Sequence, residues 1–145
     1  MPDDACRLPA TPENDDDETI RRMLSGRRIA VVGLSDDPYR ASHGVAAYLR
    51  SAGYDIIPVN PTHRTVMGLA SYPSLAEVPG DIDVVNVFRR PEYCADIVRD
   101  AIAIGATGVW LQQGIESEEA EELAREAGID FVQDRCIKVE HMYRQ

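Results

Sequence analysis

Five arginines carry the most informative chemistry in this sequence: Arg40, Arg64, the pair Arg89–Arg90, and Arg135. A guanidinium offers paired, in-plane N–H donors that match the oxygens of a phosphate. Each of these arginines follows a short apolar run that reads as a strand. All five therefore fall on one edge of whatever sheet those strands build. The rest of the chain is acidic, with 25 Asp and Glu against 15 Lys and Arg and a formal net charge of −10. Positive charge gathered on one edge of an acidic protein points to an anionic ligand with more than one phosphate. Small and hydroxyl-bearing residues share that edge: Gly33, Ser35 and Ser42 after the first run, Asn60 and Pro61 after the second, and Gln113 and Gly114 after a later one.

Other reactive types are sparse. His43 sits at a helix start, where a structural or phosphate-contacting role suits it better than nucleophilic catalysis, and His63 lies in a turn. His141, Glu140 and Cys136 lack the four-ligand spacing of a closed zinc site. The three cysteines, Cys6, Cys94 and Cys136, are too far apart for a disulfide framework or a zinc knuckle, so a reducing cytoplasm is the default compartment. Cys94 reads as a small core residue. Cys136 follows Arg135, and a neighbouring cation favours the thiolate; packing and a mixed disulfide with a thiol ligand are the two readings there. No Ser/His/Asp arrangement emerges from spacing. Non-specific nucleic-acid binding needs a basic surface that this composition lacks. No apolar run approaches the roughly 20 residues of a membrane span, and the acidic N-terminus has no apolar segment resembling a secretory signal.

The elements that must position these residues alternate. Ile29–Leu34 is an apolar, β-branched run suited to a strand buried on both faces. A helix is expected over Ser42–Ala52, with Ser42 able to cap it and Gly53 closing it. Asp55–Val59 is the second strand, stopped by Asn60-Pro61. Thr65–Tyr72 is a weak edge strand interrupted by Gly68, and a helical turn follows at Ser74–Glu77. Asp83–Phe88 is a further strand, and Pro91 opens the helix Glu92–Ile104, with Tyr93, Ile97, Val98, Ala101 and Ile102 facing the sheet. Strand Gly108–Leu111, a helix opened by Ser117 and its acidic neighbours, strand Asp130–Val132 and a short helix Ile137–Tyr143 complete the chain. Residues 1–17 read as a mobile acidic tail, and Glu18–Leu24 as a short helix. Residues 18–145 then form one domain of α/β class: a doubly wound, Rossmann-like parallel sheet with helices on both faces and strand order about 3-2-1-4-5-6.

In such sheets ligands bind beyond the carboxyl ends of the strands, where the strand order reverses. A buried strand, a small-residue turn and a helix N-terminus converge backbone N–H groups on one spot, which suits phosphate. Two features disfavour an ordinary NAD enzyme. The turn reads GLSDDP rather than GxGxxG. Asn60 also stands where NAD enzymes carry an acidic residue for the ribose.

The succession VVGLSDDPYRASHGVAAYL, GYDIIPVNP, DIDVVNVFRRPE, GVWLQQGI and EEA…AREAGIDFVQDRC resembles the stand-alone CoA-binding domain proteins. These are relatives of the N-terminal domain of the succinyl-CoA synthetase α subunit. The resemblance runs from about Ile20 to His141. It implies a domain that binds coenzyme A, or an acyl-CoA, at the strand ends. By that resemblance Gly33, Leu34 and Ser35 form the phosphate-facing turn, with Arg40 and Ser42 beside the phosphates. Val59, Asn60 and Pro61 border the adenosine, and Phe88, Arg89, Arg90 and Pro91 flank the next stretch. Gln113, Gly114 and the segment with Arg135 and Cys136 line the mouth towards the thiol. Synthetase relatives often carry a lysine after the second strand, where this chain has His63 and Arg64.

The chain ends before any phosphohistidine domain of the synthetase kind. The reading is therefore a non-catalytic binding, carrier or regulatory module. An NAD(P)-binding redox sensor and an acyl-CoA-processing enzyme are the alternatives. A small sheet with an edge to cover favours a homodimer, and a regulatory role would need a protein partner.

Overall fold

The computed structural model describes residues 12–144. Ile29, Ala30, Val31 and Val32 are at most 7% exposed, as a continuous β-branched run in a two-faced sheet demands. They belong to β1 (Arg28–Val32), the second strand of a five-stranded sheet. The others are β2 (Asp55–Val59), β5 (Val84–Val87), β6 (Gly108–Leu111) and β7 (Asp130–Val132). The order is β2-β1-β5-β6-β7 and every pairing is parallel. The chain winds outward from β1 in both directions, so the order reverses between β1 and β5. The sheet is doubly wound and Rossmann-like, as expected.

Successive residues of each strand feed opposite cores. Ala30, Val32, Val85, Val87, Val109 and Leu111 pack on one face, where α3 (Pro91–Ala103) and α4 (Glu118–Ala127) supply Ile97, Val98, Ala101, Ala120 and Ala124. Ile29, Val31, Val84 and Trp110 pack on the other. There α1 (Pro12–Leu24), α2 (Ala41–Ser51) and α5 (Ile137–Tyr143) contribute Ile20, Met23, Val45, Leu49 and Ile137. Trp110 is fully buried and its indole N–H donates to the Arg135 carbonyl at 2.8 Å, fixing the β7–α5 connection. Cys94 is a core residue, and burial pushes its thiol pKa up. No helix among the described residues is long and apolar enough to cross a membrane.

Three expectations change. The weak strand over Thr65–Tyr72 does not extend the sheet. It folds as a separate antiparallel hairpin of β3 (Thr65–Val66) and β4 (Leu69–Ala70), with Met67 and Gly68 both at positive φ as a tight primed turn requires. One bridge, Val59 to Tyr72, ties it to β2. Pro58 in β2 has no N–H to offer an outer neighbour, so β2 is an edge strand. The first helix begins at Pro12, so residues 12–17 are helical rather than tail. Asp17 bonds Arg21 at 2.9 Å and Arg144 at 2.6 Å, and Asp16 lies 3.7 Å from Arg135. Asp16 and Asp17 thus meet Arg135 and Arg144, the residues that flank the last helix. Residues 1–11, with the rest of the expected tail and Cys6, lie outside the described residues. Finally, Tyr93 does not face the sheet; it is 37% exposed at the rim.

Candidate functional site

The turn after β1 is shaped by Gly33. Its amide donates to the Val59 carbonyl at 3.0 Å, and the Phe88 amide donates to the Val32 carbonyl at 2.9 Å. The ends of β2, β1 and β5 are thereby laced together. Gly33 has φ +87°, and a Cβ there would stand 2.5 Å from the Phe88 carbonyl oxygen and 3.1 Å from Arg89 Cδ. Only glycine permits both the conformation and the approach. The Arg89 side chain consequently lies against the turn.

From Leu34 the loop is braced from two sides. Asn60 Nδ2 donates to the Leu34 carbonyl at 3.0 Å, while Asn60 Oδ1 accepts from the Thr62 amide and hydroxyl. Ser42 is buried, and its hydroxyl accepts from the Ser35 amide at 3.0 Å. Ser42 therefore does not cap α2, as its position suggested. Arg40 occupies the N-cap, without a side-chain cap bond, and Ser42 ties the loop to the helix start instead. The first turn of α2 holds no acidic residue, whereas those of α3, α4 and α5 contain Glu92, Glu118 and Glu140. The first turn of α2 thus has no carboxylate of its own, and the two acids of the loop before it, Asp36 and Asp37, accept from the Met67 and Tyr39 amides.

The charges at this edge are disposed unequally. Arg40, Arg64 and Arg89 make no ion pair among the described residues, a property shared by only two other arginines there, Arg27 and Arg50. Arg90 meets Glu92 at 3.6 Å, an exposed pair of little strength. Arg135 turns away to Glu140 and Asp16. Asn60, Pro61, His63 and Arg64 line a depression of about 370 Å³ beside β2. At the far side, the Asp134 carboxylate accepts from the Gly114 amide at 2.7 Å, closing the β6 and β7 loops on each other. Gln113 is exposed, and Cys136 is half-buried against the α5-side core.

The candidate residues thus all follow strand carboxyl ends, in two groups. Gly33, Leu34, Ser35, Arg40, Ser42, Val59, Asn60, Pro61, Phe88, Arg89, Arg90 and Pro91 gather where the strand order reverses. Gln113, Gly114, Arg135 and Cys136 form the second group, over β6 and β7. Leu34 and Val59 are core side chains, and their carbonyls are already engaged. Tyr93, expected from the sequence to face the sheet, instead meets the guanidinium groups of Arg89 and Arg90 over its ring.

A family model described as CoA binding domain matches residues 27–142. The chain belongs to this CoA-binding domain family. It is 44% identical over 130 residues to the uncharacterized protein YneT of Bacillus subtilis, covering 89% of this chain and 96% of that one. It superposes on the hypothetical protein from Pyrococcus horikoshii OT3 with a TM-score of 0.84, at 41% identity, over 88% of this chain and 90% of the other. It is also 27% identical over 128 residues to the Acetate--CoA ligase [ADP-forming] II subunit alpha of Pyrococcus furiosus. That match takes in 81% of this chain but 28% of the ligase subunit. The resemblance to the CoA-binding domains, read from the strand-end motifs, is thereby established at the level of family.

Proposed function

We propose that this protein binds coenzyme A along the carboxyl edge of its sheet, with the diphosphate at the β1 turn and the α2 N-terminus. The observation that carries this reading is the set of cations at the reversal of strand order that have no carboxylate partner. Arg89 lies on the glycine turn, Arg40 begins a helix with no acid in its first turn, and Arg64 follows β2. In a chain with an excess of acid, arginines without partners at one rim suit an anionic ligand. The family match and the likeness to the acetate–CoA ligase subunit support the choice of CoA.

The residues fit the diphosphate end of such a ligand. The Ala41 and Ser42 amides at the start of α2 make no hydrogen bond among the described residues, and the Arg89 side chain lies against the Gly33 turn. The adenosine would lie towards Asn60 and Pro61, and the thiol arm towards Gln113, Gly114 and Cys136. Asn60 argues against NAD. Its amide is spent on Leu34 and its oxygen on Thr62, so it cannot take the role of a ribose-binding carboxylate. We infer a binding, carrier or regulatory module acting with CoA or an acyl-CoA, a reading that the family match and the likeness to the ligase subunit support.

Titration calorimetry with CoA, NAD, NADP and ATP tests the reading. CoA should bind with at least tenfold preference over the other nucleotides. No heat with CoA at millimolar concentration, or a preference for NADP, overturns it.

A further inference from the structure

Tyr93 lies in the first turn of α3, where the helix overhangs the edge of the sheet. The Arg89 guanidinium carbon sits 4.3 Å from its ring centroid and that of Arg90 sits 5.5 Å away. Arg90 Nη2 also donates to the Tyr93 hydroxyl at 3.2 Å. Two like charges are therefore gathered on one ring. Stacking engages the face of a guanidinium and leaves its in-plane N–H groups free for an anion. Arg89 has no carboxylate partner among the described residues, and its stem lies against Gly33. An arginine held this way loses less side-chain entropy when a ligand arrives than one free in solvent.

We propose that Tyr93 is a positioning residue for the diphosphate: its ring holds Arg89, and secondarily Arg90, over the β1 turn with their donor edges open. The inference rests on the CoA reading above. Tyr93 itself need not touch the ligand. Its exposure and its place outside both core clusters indicate that its ring is not needed for packing.

The test is a double-mutant cycle read by CoA titration. Tyr93→Leu should weaken CoA about 3- to 10-fold, the range expected for a partly exposed cation–π pair. Tyr93→Gln, a polar residue suited to a helix surface, should do the same. Tyr93→Phe, which keeps the ring, should restore affinity to within about threefold of wild type. Arg89→Ala combined with Tyr93→Leu should bind no more than about twofold weaker than Arg89→Ala alone, because Tyr93 acts through that arginine. Wild-type-like affinity in both Tyr93→Leu and Tyr93→Gln overturns the inference, as do losses that simply multiply in the double variant. Failure of the CoA reading looks different: wild type itself shows no CoA binding, and the inference falls with it.

Discussion

Replacing Gly33 by alanine should cost far more than a methyl group usually does. The residue has φ +87°, a conformation that penalises an L side chain by about 1–2 kcal/mol. The added Cβ would also lie 2.5 Å from the Phe88 carbonyl oxygen. That oxygen cannot easily retreat, because the Phe88 amide is bonded to Val32 at 2.9 Å. Overpacking of this kind costs about 1–3 kcal/mol. The two costs together come to about 3 kcal/mol, which for a chain of this length lowers Tm by roughly 6–12 °C. Urea unfolding followed by Trp110 fluorescence measures the loss. Two controls separate the contributions. Gly53 has φ +105° with nothing within 4 Å of where a methyl group would sit, so Gly53→Ala should show the conformational penalty alone, about 1 kcal/mol. Gly44 lies inside α2 with open space around it, so Gly44→Ala should stabilise by about 0.5–1 kcal/mol. If Gly33→Ala costs no more than Gly53→Ala, the close approach of the turn to the end of β5 is wrong, and so is the placement of Arg89.

Three further outcomes follow from the hydrogen bonds. Ser42→Ala removes the acceptor of the Ser35 amide and should cost about 1–2 kcal/mol in urea unfolding, with a parallel loss of CoA affinity. Asn60→Asp places a carboxylate oxygen against the Leu34 carbonyl and should destabilise by about 1–3 kcal/mol; NADH fluorescence should show no gain in binding despite the new acid. The Asp83 carboxylate accepts from the Arg28 and Arg27 amides, which lower its pKa from the ordinary 3.8. Its folded pKa lies below the unfolded one, so its contribution is present above about pH 4 and is lost as pH falls through the lower folded value. Asp83→Asn should therefore cost about 2 kcal/mol at pH 7, a deficit that shrinks in unfolding curves below pH 3.8.

Much of this architecture was legible because β-branched runs and glycine stops are local signals. The five main strands, and the rim residues that follow them, could be read from such runs alone. What escaped depends on contacts distant in sequence or on the overhang of an element. The Asp run before Glu18 looks like tail until Arg144 and Arg135 are brought beside Asp17 and Asp16. Tyr93 falls on the same helical stripe as Ile97 and Ala101, but the first turn of α3 projects beyond the sheet, so that stripe reaches the rim there. Pro58 did carry the signal that β2 ends the sheet, since a sixth strand would have needed its missing N–H. Ser42 was read as a cap from its type; two residues past the Arg40 N-cap, its hydroxyl reaches the Ser35 amide instead.

The two edges of the sheet use charge in opposite ways. At the amino edge, most charged groups are consumed by structure, Arg27 being without an ion pair among the described residues. Arg28 meets Asp55 at 3.2 Å and also donates to the Pro79 and Asp81 carbonyls. Arg22 meets Asp130 at 2.9 Å, and Asp83 binds two amides. At the carboxyl edge, Arg40, Arg64 and Arg89 have no such partners among the described residues, although the chain has carboxylates in excess. An acidic molecule repels a polyanion at long range, but that repulsion is screened beyond about 8–10 Å at physiological salt. Close to the rim the unpaired guanidinium groups and the α2 N-terminus dominate. CoA affinity should accordingly respond to salt through these few local contacts, not through the net charge of the whole chain. Neutralising acidic residues on the outer face of α4 should leave it nearly unchanged, while Arg89→Ala should weaken it sharply.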